Sequence, residues 1–177
     1  MLELWKSRRA RKAAVATIRP LVERTRFANG NISDDRWMDA YMVGFLTMLI
    51  TLIAQRRVDT IGSEALGIVQ ADAWQEITGL PGQLVGEEAC LLSANGHRDF
   101  MRGCHNAGKL ESALTAQSGF HWFNSGNPDL DGTVETGGTR RMLDDTEIHA
   151  LWSEYFERPL LSIAFPSSAD RHEGWQH

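Results

Sequence analysis

Cysteine is scarce: Cys90 and Cys104 are the only two in 177 residues, too few for a disulfide framework or a four-cysteine zinc site. A reducing, cytoplasmic setting is the expectation that follows. Strong net charge is lacking too, since 18 basic residues stand against 23 acidic ones for a formal charge of −5. With 42% hydrophobic and 23% charged residues, the composition is that of an ordinary globular protein and argues against both a chain disordered throughout and one that coats nucleic acid. No secretory signal is read near the start, because Arg19, Pro20, Glu23 and Arg24 interrupt any apolar stretch behind the basic residues. A transit peptide fits only in part: Glu3 and Glu23 are the only acids in the first thirty residues, but serine is scarce there.

Catalytic signatures are absent as well. The chain contains no G-x-S-x-G elbow, no Walker A loop, no G-x-G-x-x-G fingerprint and no H-E-x-x-H helix.

What is present is helix-forming sequence, in a chain long enough to bury a core of its own. Ala14, Ile18, Leu21 and Val22 recur at helical spacing in a segment from Leu2 to about Phe27, where Pro20 is expected to kink the helix or begin a second one. Asn29-Gly30 reads as a turn, after which Ser33 suits the cap of a long helix reaching Arg57. Ser63 suits the cap of a further helix with Leu66, Val69, Ala73 and Ile77 on one face, closed by Gly79 and Pro81. A short helix over Gln83 to Leu92 follows, then an Asn95-Gly96 turn, then a helix capped by Asp99 and running from Phe100 to about Gln117. From Ser118 glycine accumulates and periodicity fades, so loop is expected, with short strands around Phe120 to Phe123. Asp144 or Asp145 suits the cap of a last helix carrying Ile148, Leu151, Trp152, Tyr155 and Phe156 on one apolar face. Pro159 is expected to stop it, leaving "LLSIAF" as a short extended piece.

The stretch Ala40 to Gln55 is free of charge. As a helix it is about 24 Å long, short of the roughly 30 Å hydrocarbon layer that a transmembrane span must cross. Its flanks carry basic residues on both sides and so give no positive-inside asymmetry. Ala40, Gly44, Thr47, Thr51 and Ala54 form a narrow row of small residues, which lets a neighbouring helix approach closely. Tyr41, Phe45, Leu46, Met48, Leu49, Ile50, Leu52 and Ile53 fill the rest of the circumference. A helix apolar nearly all round belongs at the centre of a bundle.

Four groups of residues could carry chemistry. Lys6, Arg8, Arg9, Arg11 and Lys12 form a basic run around Trp5; on a helical wheel they spread over more than half the circumference, which disfavours deep insertion into a membrane and leaves adhesion to anionic lipid, RNA or an acidic protein. The bland alternative is a solvated helix end. Cys90, His97, Cys104 and His105 offer four zinc-type ligands, but without the short paired spacing of zinc sites, and Cys104 shares a face with Phe100 and Ala107, where a small buried thiol is expected. Asn127, Asp129, Asp131 and Glu135 follow the spacing of a calcium loop around Gly132, except that Gly138 stands where the bidentate glutamate belongs. Glu87, Glu88, His97, Asp99 and His105 are close enough in sequence for a carboxylate and a histidine to meet in a proton-transferring pair.

The sequence therefore predicts an all-α protein, a single helical domain over residues 1–177 built as a compact bundle around the Tyr41 to Ala54 helix. Residues 118–142 are expected as irregular loop and 166–177 as a frayed tail. The functional expectation is a helical module that binds a protein partner without catalysis, a cofactor or a transmembrane span. Binding to an anionic surface through the basic N-terminal helix is the first alternative, and a small enzyme using a carboxylate and a histidine is the second.

Overall fold

The computed structural model describes residues 2–58, 60–123 and 145–162, with Leu2 and 116–123 as backbone alone. The all-α class holds: helices pack into a compact bundle, and no strand occurs among the described residues. Leu2–Asn29 form one helix, α1, that buries Ala10, Ala14, Ile18, Leu21, Val22 and Thr25. Pro20 lies inside this helix and does not begin a second one. Pro20 and Ala16, whose carbonyl loses its helical partner to the proline, both lie on the exposed side, where a lost helical bond costs least.

The long helix expected from Ser33 to Arg57 is instead broken at Met38 and Asp39. Asp34–Trp37 form a single turn, α2, and Ala40–Arg57 form α3. Asp39 is the cap that matters: its carboxylate accepts the Tyr41 N–H at 2.9 Å, while Ser33 makes no side-chain cap bond. The break sets Trp37 into the core, 1% exposed.

Helix α3 is central, as its sequence requires, with residues 41–47 buried without interruption. No helix among the described residues is long and apolar enough to cross a membrane. Its small-residue row meets α6, Arg98–Phe123. A β-carbon on Gly44 would sit 2.3 Å from the Phe100 carbonyl oxygen, and one on Gly103 2.2 Å from that of Tyr41. Two glycines on facing helices thus allow the backbones to touch. Thr51 turns to another neighbour, accepting a hydrogen bond from Gln70 Nε2 at 2.6 Å, and Gln70 lies on α4, Ser63–Thr78.

Gly62 occupies the N-cap of α4, with Ser63 as the first helical residue, and Gly79 ends it at φ +88°. Gly82–Ala94 form α5, which presses Gly82 against the Ala71 carbonyl. Gly96, at φ +59°, completes the predicted turn into α6. Asp99 lies inside the first turn of α6 and pairs with Arg102 at 3.1 Å rather than capping. That helix also runs through Phe123, where loop and short strands are expected from Ser118 onward. One glycine, Gly119, disfavours a helix by only about 1 kcal/mol, too little to stop one already packed along α3.

The last described segment is α7, Asp145–Trp152, a π-helical turn, Ser153–Glu157, and α8, Arg158–Ser162. Pro159 does not stop this helix. The wider turn, closed by the Arg158 N–H on the Ser153 carbonyl, starts a new helical segment with proline as its second residue, where a missing N–H is tolerated. The piece expected as extended therefore begins as helix through Ser162. Trp152 and Phe156 stack at 4.1 Å and close the core over Phe45, 6.1 and 5.9 Å away. Residues 124–144 and 163–177, with the remainder of the glycine-rich stretch and the tail, lie outside the described residues.

Candidate interaction surface on the first helix

The five residues of the basic run at the start of α1 do not act as one group. Lys6 turns back onto the protein, where its ammonium donates to the Thr60 carbonyl at 3.0 Å and to the Thr60 hydroxyl at 3.1 Å, with Glu3 at 3.5 Å. Only 21% of its side chain is exposed. Arg11 leans toward α4 and reaches Asp72 at 3.7 Å. Arg8, Arg9 and Lys12 remain exposed, and none of them forms an ion pair among the described residues.

Removing Lys6 and Arg11 from the set changes the wheel. Leu4, Arg8 and Lys12 form one row at spacings of four, and Trp5 and Arg9 form the row beside it. Arg8, Arg9, Lys12 and Trp5 span about 100° of arc. Leu4 is 67% exposed and Trp5 57%, both unusual for large apolar side chains. The Arg9 guanidinium lies over the Trp5 ring, 5.2 Å from its centroid. Such a contact contributes about 0.5 to 1 kcal/mol at an exposed site and holds ring and cation on one surface. Farther along the same face of α1 the next cation is paired: Arg19 bonds Glu23 at 2.8 Å and reaches Glu76 at 3.9 Å. The surface thus carries Leu4 and Trp5 in the first turn and cations in the second and third, with Glu3, also of the first turn, turned to the side of Lys6.

Beside it lies an open cleft of about 550 Å3 lined by Glu3, Gln55, Val58, Thr60, Ile61 and Gly62. Among the described residues of that lining, Glu3 is the ionisable one.

The other candidates are scattered. Cys90 is exposed on α5 and His97 and His105 are exposed, while Cys104 points inward and donates its thiol to the Gly44 carbonyl at 3.4 Å. Burial pushes the Cys104 thiol above the usual range, in keeping with the packing role expected of it. No three His, Cys, Asp or Glu residues stand close enough to hold a metal ion among the described residues. The proposed carboxylate and histidine pair is likewise not assembled there: Asp99 pairs with Arg102, and no hydrogen bond or ion pair joins Glu87, Glu88 or Asp99 to His97 or His105. Asn127, Asp129, Asp131 and Glu135 lie outside the described residues.

Sequence reasoning missed Leu4 as part of the surface. The signal was present in the row Leu4, Arg8, Lys12, but the five-residue charge run concealed it. Comparison with known protein families, with curated proteins and with solved structures finds no match to this chain.

Proposed function

We propose that the chain is a helical interaction module that holds an anionic surface against the outward face of α1. The observation that carries this reading is the division of the basic run: Lys6 is held by Thr60 and Arg11 pairs with Asp72, whereas Arg8, Arg9 and Lys12 are left on one arc beside exposed Leu4 and Trp5. Three adjacent cations without an ion pair among the described residues attract a polyanion even on a protein of net charge −5. The reading treats residues 1–177 as one helical domain and sets it in the cytoplasm, in keeping with the free thiols of Cys90 and Cys104. The test is retention on immobilised heparin at low salt. Wild type is expected to bind and to elute with added salt, and R8E/R9E/K12E to flow through; equal retention of both overturns the proposal.

A second reading, a protein partner, is favoured by α5. Leu84 and Leu91 are 55% and 60% exposed at a spacing of seven, with Glu87 between them. That stripe suits the apolar face of a basic amphipathic helix. Under this reading L84E/L91E loses a partner that R8E/R9E/K12E retains.

A further inference from the structure

We infer that the anionic surface is a lipid bilayer, with Leu4 and Trp5 entering the headgroup region while Arg8, Arg9 and Lys12 contact lipid phosphates. The inference rests on the reading of α1 above and adds the kind of partner. Its first support is the order of residues along the axis. Leu4 and Trp5 lie in the first turn, and the cations follow in the next two. A partner that offers phosphates alone leaves Leu4 and Trp5 in water, whereas a bilayer offers an apolar layer just beneath its phosphates. The dimensions of an end-on approach agree: Arg8 to Lys12 rise about 6 Å along the helix, close to the roughly 5 to 8 Å depth of one headgroup layer.

The second support is the Trp5 ring. Single-stranded nucleic acid is held by stacking bases on free aromatic faces, and one face of Trp5 is already covered by the Arg9 guanidinium. A tryptophan at a lipid interface needs no free face, since its apolar body enters the acyl boundary and its N–H stays at the headgroups. The third is the limit of the surface. On this face of α1 positive charge ends where Arg19 pairs with Glu23 and Glu76, Arg24 lying on another face, so the cations form a short collar behind Leu4 and Trp5 rather than a long track along which a nucleic-acid backbone would lie.

The experiment is flotation of the full chain with vesicles of phosphatidylcholine alone and with roughly one-third phosphatidylglycerol, beside anisotropy titration of a labelled single-stranded oligonucleotide. The expected result is binding to the anionic vesicles only. L4S/W5S should weaken it by about tenfold or more, and R8E/R9E/K12E should abolish it. Wild-type fluorescence should shift to the blue on binding, a shift that W5F lacks. Binding to heparin and oligonucleotide without binding to vesicles overturns the bilayer while leaving the anionic-surface reading intact, and so does vesicle binding undiminished in L4S/W5S. Failure to bind heparin, oligonucleotide and vesicles overturns both. All substituted residues are exposed, and thermal unfolding of each variant checks that its fold is unchanged.

Discussion

The hydroxyl of Tyr41, on the central helix α3, donates to the backbone carbonyl of Tyr155 at 2.7 Å. The residue that would serve that carbonyl in a regular helix is four positions on, and it is Pro159, which has no N–H. Asn106 Nδ2 in turn donates to the Tyr41 oxygen at 2.9 Å. One phenol therefore ties the π-helical turn to α3 and α6.

Replacing Tyr41 with Phe keeps the ring packing and removes this link. Loss of about 1 to 3 kcal/mol is expected, the range for leaving buried polar partners unsatisfied, and chemical denaturation measures it. The same group gives a pH dependence. Burial raises the Tyr41 pKa above its usual value, against the lowering effects of the Asn106 hydrogen bond and the Arg102 guanidinium. A phenol that holds its proton more tightly when folded contributes stability that is complete below the unfolded value, about 10, and is lost as pH rises through the folded one. Melting temperature should therefore fall more steeply above about pH 10 in wild type than in Y41F; parallel curves would count against the link.

The contact of α3 with α6 predicts a contrast between glycines of one helix. At Gly103 an alanine β-carbon would meet the Tyr41 carbonyl at 2.2 Å, whereas at Gly108 nothing lies within 4 Å. G103A is expected to destabilise by about 1 to 3 kcal/mol or more, and G108A to be neutral or to stabilise by up to about 1 kcal/mol. Equal effects in urea unfolding would contradict the close approach.

A second buried link joins α1 to the C-terminal segment. Trp152 Nε1 donates to Thr25 Oγ1 at 2.9 Å, and the Thr25 hydroxyl reaches Glu157 Oε1 at 2.8 Å. T25V keeps the shape and removes the only acceptor that Trp152 has among the described residues, at a cost of about 1 to 3 kcal/mol. A double-mutant cycle with W152F should recover part of that loss, since the orphaned N–H is then gone; strict additivity would show that the hydrogen bond contributes nothing.

The two thiols should differ in reactivity. Cys90 is exposed, while Cys104 is half-buried against Gly44 with its pKa raised by burial. Alkylation near neutral pH should modify Cys90 first and reach Cys104 at a comparable rate only in denaturant, because the thiolate is the reactive form. Mass spectrometry of timed samples reads both sites.

Much of this architecture is legible in the residues. The uncharged Ala40 to Gln55 run places α3 at the centre, and Gly79 and Asn95-Gly96 mark their turns because each demands a particular backbone conformation. What stayed hidden depends on competition or distance. Ser33 and Asp39 have similar cap chemistry, and local sequence does not show that the chain breaks between them with Trp37 buried. Pro159 reads as a stop because local sequence does not show that Tyr41, far away in the chain, compensates the lost N–H. The interaction surface follows the same pattern: a helical wheel treats Lys6 and Arg11 like their neighbours, since Thr60 and Asp72, which draw them back, lie on other elements.

The central claim is that three particular cations, rather than overall charge, make the binding surface. Its most direct test is the salt dependence of binding to anionic vesicles for R8E/R9E/K12E beside R24E/R57E/R98E, which reverses three other exposed arginines and changes net charge equally. We expect the first variant to lose binding and the second to keep most of it. Equal loss in the two, or retention by R8E/R9E/K12E, would contradict the account.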